Sequence, residues 1–405
     1  MKNLKVLRLV CIQLLLFLVC SAFAQASGDD TLSVTQMNAL GCDFFYGRNG
    51  HTQDYAEAMR LFEYSARAGY ADAQHNLGFM YQSGSGVARS DVSAAIWYRR
   101  AARRGHALAQ CRLGLMYRYG RGVWQSNKKA FRWFKRSAKQ GWTVAQYNLA
   151  VMYLDGSELR DYKEAARWFQ IAAEQNDTLS QCALADLYRE GLGVNKDYAE
   201  ALRWYRKAAA LGSAQGQYNL GVMYNEGIGT AKDLSKAFNY FRQAGEKGHV
   251  DAQYNVALAY ENGEVVAQDY SEAIKWYRRA ADMGDVDALG KLGDMYQDGK
   301  GVEKDYSEAA QWYMKAARKG NVSAQHNLAL IYKFGWGVER DEMEAVKWFR
   351  KTAEQGDAWG QYNLGLSYQY GTGIEKNLRK AKRWYRLAAS NGNEAARRAL
   401  KEMKK

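Results

Sequence analysis

The chain contains no proline in 405 residues. That absence excludes proline-rich linkers and leaves no helix kinked by a pyrrolidine ring. Histidine and cysteine are scarce, with five of each. His51, His75, His106, His249 and His326 form no His-x-x-x-His pair, and no Cys-x-x-Cys occurs, so no zinc site is expected. No serine sits in a Gly-x-Ser-x-Gly elbow, and the Gly-x-Gly pairs lack the lysine and strand of a phosphate loop. No acid, base and nucleophile come together as a recognisable set. No catalytic residue, metal or cofactor is therefore assigned, and the chain does not read as an enzyme.

Long apolar runs are also lacking, apart from a stretch near the start. Lys2, Lys5 and Arg8 precede an apolar segment from Leu9 to Val19, broken by Gln13, and Ala22-Phe23-Ala24 follows. This is the pattern of a secretory signal cut before Gln25. The segment is short for a membrane span, so an uncleaved anchor is the alternative and no transmembrane segment is expected in the mature chain. Val19 fits poorly before a lipid-modified Cys20. The expected location is the periplasm or the exterior. Removing three basic residues leaves 57 − 3 = 54 against 43 acidic ones, a net of +11. Such a surplus favours acidic partners or an anionic envelope polymer, although interspersed charges on solvated helix faces give it too. Nucleic acid is not an expected partner of an exported chain. Cys42, Cys111 and Cys182 remain after cleavage; helix layers about 8–10 Å apart are too distant for a bridge between equivalent positions, so no internal disulfide is expected.

What is present is a repeat. Trp97, Trp133, Trp168, Trp204, Trp276, Trp312, Trp348 and Trp384 recur about every 36 residues, with Tyr240 in the one skipped place. A unit that short cannot close its own core and must stack on its neighbours. In residues 70–105, Ala73, Leu77, Gly78 and Tyr81 lie on one face of a first helix. Gly84-Ser85-Gly86-Val87 breaks it, and Asp91 is expected to cap a second helix. That helix carries Ala94, Trp97, Tyr98, Ala101 and Ala102 on its apolar face, and Gly105 ends it. The place of Ala73 is always small, for example Ala109, Ser180, Gly216 and Gly360, so paired helices can approach closely. The Trp-Tyr or Trp-Phe dipeptide is expected to fill the space those small residues leave.

Residues 1–24 are read as the leader and 25–33 as a short linker. Repeats span 34–69, 70–105, 106–141, 142–176, 177–212, 213–248, 249–284, 285–320, 321–356 and 357–392, and 393–405 form a capping helix with a polar outer face. The unit at 142–176 is one residue short, with Asp155-Gly156-Ser157-Glu158 in place of the glycine pair, and a local bend or tightening is expected there.

Ala-x-x-x-Leu-Gly-x-x-Tyr, then Gly-x-Gly-Val, then Ala-x-x-Trp-Tyr-x-x-Ala-Ala-x-x-Gly resembles the Sel-1-like repeat of the tetratricopeptide superfamily. Residues 145–153 and 199–209 are direct instances. The resemblance covers about 34–405 and implies an all-α, right-handed α/α superhelical solenoid of about ten helix-turn-helix repeats, with first helices lining the concave side. It also implies an adaptor that binds protein, tied in exported bacterial members to envelope assembly or host interaction. Departures are Tyr240 for tryptophan, Ala185 and Ala257 for glycine, and a divergent first unit.

On that geometry the residue two before each Leu77-type position faces inward. The row reads His75, Cys111, Tyr147, Cys182, Tyr218, Tyr254, Gly290, His326 and Tyr362. Tyrosine combines contact area with a polar tip, so a protein or peptide partner is expected on His75, Tyr147, Tyr218, Tyr254, His326 and Tyr362. Packing on the next unit is the alternative use of these rings. Trp359 adds to the inner face, and Trp124 and Trp336 fall in inter-helix loops where glycine and small polar residues are usual. Binding of a host protein by a secreted form, and binding of acidic polysaccharide or peptidoglycan by the basic second helices, are the other readings.

Overall fold

The structure, a computed structural model, describes residues 32–155 and 159–403. The expected leader, the shortened connector at Gly156-Ser157-Glu158 and the two final lysines lie outside the described residues. Among the described residues there are twenty-one α-helices and no strands. All are 13 residues long except the last, Glu394–Glu402, which has 9.

The chain divides into two compact units, residues 1–196 and 197–405. The first holds the helices from Val34–Tyr46 to Thr178–Glu190, and the second holds those from Tyr198–Ala210 to Glu394–Glu402. Within each unit every helix packs on the helix before it and the helix after it. First and second helices alternate, and Glu394–Glu402 closes the second unit against Leu378–Ser390.

The helices are short because both ends are marked. Asp161, Asp197, Asp269 and Asp305 cap second helices by accepting backbone N–H groups two and three residues on. In the 70–105 unit the cap is one residue earlier than the sequence implies: the Ser90 hydroxyl accepts from the Ser93 N–H at 3.1 Å, and Asp91 is the first helical residue. Asp91 therefore favours the helix through the end dipole rather than as its cap. First helices end on a left-handed glycine such as Gly84 at φ 79°.

The core is a row of rings set against small residues. The deepest ring is the second member of the aromatic dipeptide: Tyr98, Phe134, Phe169, Tyr277, Tyr313, Phe349 and Tyr385 are fully buried. Each is flanked by the small residue of its own first helix, as where Tyr98 covers Gly78. The preceding tryptophan joins the core as expected in four units, where Trp168, Trp204, Trp276 and Trp348 are buried, and sits less deeply in four others. Trp97, Trp133, Trp312 and Trp384 are only half-buried. Seven of the tryptophans carry a cation near the ring, from 3.8 Å for Lys315 on Trp312 to 5.8 Å for Arg167 on Trp168. Where it is half-buried, as at Trp97, Trp133 and Trp312, the indole forms a lid between core and solvent, held by cation–π contact.

The second glycine of each connector seats one unit on its predecessor. Gly122, Gly193 and Gly373 have φ of 64°, 73° and 67°, and a Cβ on any of them would fall within 2.1 Å of a backbone carbonyl in the preceding second helix. Asn49, at φ 54°, takes this place in the divergent first unit. The connector at 263–265 ends in Val265, which is not among the residues at positive φ and so follows another path.

Candidate binding face

The row occupies one position of successive first helices, His75, Cys111, Tyr147 and Cys182 in the first unit and Tyr218, Tyr254, Gly290, His326 and Tyr362 in the second, and its rings are not free. Tyr147, Tyr218, Tyr254 and Tyr362 are half-buried. Each leans on the buried ring of its own second helix, at 5.8 Å to Phe169, 5.7 Å to Phe241, 5.5 Å to Tyr277 and 5.7 Å to Tyr385. His326 meets Phe349 at 5.8 Å, and His75 meets Tyr98 at 5.6 Å. Each ring is fixed on at least one side by this packing.

The next unit's helix cap adds a second layer in places. Tyr218 stacks on His249 at 4.3 Å, and His75 stacks on His106 at 4.8 Å. Burial and the neighbouring His106 hold the His75 imidazole down at about 4, so it is neutral at physiological pH. Burial also pushes the Tyr147, Tyr218 and Tyr254 phenols up, which keeps them as neutral donors. His326 lies 3.8 Å from the Asp357 carboxylate. Cys111 and Cys182 are buried members of the same row, and burial raises the Cys111 thiol to about 12, so it behaves as a small apolar group. Cys42 and Cys111 are free thiols.

The off-register tryptophans separate into two kinds. Trp336 folds back, stacking on Phe334 at 4.8 Å and on Tyr306 at 5.4 Å. Trp124 is 94% exposed. Trp359 is 58% exposed and touches Tyr362 edge-on at 6.1 Å, extending the tyrosine row. Phe334, Tyr119 and Tyr370 add exposed rings at the last position of their first helices, which the tryptophan pattern alone did not flag.

Sequence reasoning also passed over the residue that fixes the face in place. Gln74, Gln110, Gln146, Gln181, Gln217, Gln253, Gln325 and Gln361 recur immediately after the small position and are buried. Seven of the eight donate to a carbonyl near the end of the preceding second helix, as Gln325 Nε2 does to Ala317 O at 3.0 Å. In four units the amide oxygen is also caught from the end of the following helix, as where Gln355 Nε2 donates to Gln325 Oε1 at 2.8 Å, whereas the Oε1 atoms of Gln74, Gln181, Gln217 and Gln253 are buried without a partner. A polar residue recurring on an apolar face was the available signal. Gln325→Ala is expected to cost about 2 kcal/mol, since it orphans the buried Ala317 carbonyl and leaves space beside it, while Gln325→Leu should cost less because Leu289 fills that place elsewhere. Urea unfolding of the two variants checks the order.

Among the described residues no group of three His, Cys, Asp or Glu side chains is placed to hold a metal ion. None of the described helices is long and apolar enough to cross a membrane.

Ten segments, 37–70, 71–106, 107–142, 143–177, 178–213, 214–249, 250–285, 286–321, 322–357 and 360–393, match the model of the Sel1 repeat. The chain belongs to the Sel1 repeat family, and its fold is an all-α solenoid of helix-turn-helix repeats with a capping C-terminal helix. It is similar to the crystal structure of a protective antigen present in uropathogenic Escherichia coli strains. The two share 32% identity over 93% of this chain and 89% of that one, with a TM-score of 0.63. It is also similar to a Sel1 repeat protein from Oxalobacter formigenes, at 31% identity over 81% of this chain and 93% of that one, with a TM-score of 0.61. No curated protein matches the chain.

Proposed function

We propose that the protein is a non-catalytic scaffold of the bacterial cell envelope that holds a protein or peptide on its first-helix face. The carrying observation is the set of tyrosines Tyr147, Tyr218, Tyr254 and Tyr362, each half-buried and braced by the buried ring of its own second helix. Rings fixed in advance lose little side-chain entropy when a partner covers them, which favours contact surfaces of this composition. His75 accompanies Tyr147 on the first helices of the first unit, and His326, Trp359 and Trp336 accompany Tyr218, Tyr254 and Tyr362 on the first helices and connectors of the second. Trp124, in contrast, stands apart from these rings. Export to the periplasm is supported by the N-terminal pattern of basic residues, apolar segment and Ala22-Phe23-Ala24.

Replacing Tyr147, Tyr218 and Tyr254 together by alanine is expected to lower capture of a partner from envelope extract at least on the order of tenfold while the helical circular dichroism remains. Undiminished capture by a folded triple variant would remove the proposal. A secreted form that binds a host protein is the second reading, favoured by the similarity to the uropathogenic antigen. Recovery only from the periplasmic fraction of growing cells would exclude that form, and recovery only from the cytosol would exclude both.

A further inference from the structure

We propose that a second surface, formed by the second helices Asp91–Arg103 and Asn127–Lys139 with the loop residue Trp124, docks on an anionic phospholipid bilayer. Helix Asn127–Lys139 carries Lys128, Lys129, Arg132, Lys135, Arg136 and Lys139 and no acidic residue. All six are exposed. Five other second helices neutralise themselves internally, through Glu57–Arg60, Glu164–Arg167, Glu200–Arg203, Glu272–Lys275 and Glu344–Lys347, whereas Leu378–Ser390 also lacks an acidic residue but follows a connector with Glu375 and no tryptophan. In Asn127–Lys139 the glutamate's place is taken by Lys129, and none of the six cations has an ion-pair partner among the described residues.

The neighbouring second helix continues the patch. Arg100, Arg103 and Arg104 are exposed, and Arg99 Nη2 donates to Tyr117 Oη at 3.2 Å. Lys129 Nζ lies 5.2 Å from the same Tyr117 ring, so one tyrosine joins the two cationic helices. Of the acidic groups around them, Asp91 at the start of the first of these helices meets Arg89 at 4.0 Å, and Glu164 of the following second helix is held by Arg167.

Trp124 supplies the independent observation. It stands two residues before the cationic helix, 94% exposed, and no ring or cation contact holds it among the described residues. Its neighbours along the chain include the exposed Tyr119, Arg121 and Lys128. An indole before the N-terminus of a helix that carries exposed cations along its length matches a headgroup layer, where the ring settles at the apolar boundary and the cations meet phosphates. A polysaccharide fits less well. Sugar hydroxyls need acceptors as well as donors beside the stacking ring, and lysine and arginine offer donors alone. The surface is separate from the tyrosine row, so this proposal stands or falls without it.

The test uses residues 25–405, which keep every described helix and omit the apolar leader. The probe is a phosphatidylcholine vesicle with or without phosphatidylglycerol. Co-sedimentation is expected with the anionic vesicles only, and it should vanish near 0.5 M salt, where the screening length falls to about 4 Å. Trp124→Ala should abolish the vesicle-induced drop in iodide quenching. Lys128→Glu with Lys129→Glu, Arg132→Glu and Lys135→Glu should weaken binding on the order of tenfold or more at unchanged helical content. Reversing Lys315 and Lys319 in the second unit should leave binding intact. Three results would overturn the proposal: equal binding to neutral vesicles, an equal loss from the Lys315/Lys319 variant, or retention on an anionic polysaccharide with none on vesicles.

Discussion

Alanine at Gly193 is expected to destabilise the first unit by about 3 kcal/mol or more. Two effects act together. Gly193 has φ 73°, where a Cβ is strained whatever surrounds it. A Cβ there would also lie 2.0 Å from Tyr162 O and 2.2 Å from its carbonyl carbon. Those are backbone atoms at the start of helix Tyr162–Glu174, and they cannot turn aside as a side chain does. The connector must therefore lift off the preceding helix, and the joint between two repeats opens. Gly78→Ala is the informative contrast. Its Cβ would approach the Tyr98 ring to 2.6 Å, but a ring can tilt, and Ala150, Ala185, Ala257 and Ala329 already occupy that place in other units. It should cost about 1 kcal/mol or less. Because arrays of repeats unfold in parts, hydrogen exchange along 162–190 separates the two variants better than a single melting curve.

The second large effect is expected at Tyr277. Its ring is fully buried, and its hydroxyl donates to Glu261 Oε2 at 2.5 Å. Glu261 is also paired with Lys291 at 3.1 Å. Burial and the Glu261 carboxylate both push the phenol well above its ordinary range, so it remains a donor at any working pH. Tyr277→Ala opens a cavity at the joint of three helices and should cost about 3–5 kcal/mol. Tyr277→Phe keeps the packing and loses one hydrogen bond to a charged group, which has a second cation beside it. About 1.5–3 kcal/mol is expected there. Chemical denaturation of both variants tests the ladder, and equal losses would mean that the hydroxyl, not the ring, holds this joint.

Periodicity made most of the fold legible. A tryptophan every turn of the repeat, a small residue at one fixed place and a glycine pair between them leave few alternatives to stacked helical hairpins. The boundaries followed from Gly84, Gly105 and their counterparts, because a left-handed residue can be read from composition. What periodicity could not give was direction within the aromatic pair. Trp97 and Tyr98 are adjacent, and a helix turns about 100° between them, so which ring enters the core depends on the neighbour it meets. The Gly78 gap receives Tyr98, and Trp97 is turned to the Arg100 guanidinium at 4.4 Å. Ser90 was hidden as a cap for a similar reason, since the acidic residue after it is the commoner signal.

The inward row was legible as a set of positions but not as an environment. Tyr218 is sandwiched by Phe241 and His249, whereas Gly290 leaves a gap in the same row. The glutamines escaped because a polar residue amid apolar ones reads as surface until a buried carbonyl is found opposite it. Their role needs coordinates from two consecutive repeats at once, which no single unit of sequence contains.

Those glutamines give each joint a polarity. Gln110 reaches back to Ala102 O at 3.1 Å and is itself held from ahead by Gln140 at 2.8 Å, so its two ends are satisfied by different helices. A repeat of this kind presents one half of the same clasp at its leading edge and the other half at its trailing edge. Copying a whole period within the gene would therefore create a new seam with ready-made partners on both sides, and the molecule could gain or lose length in whole steps without inventing a contact.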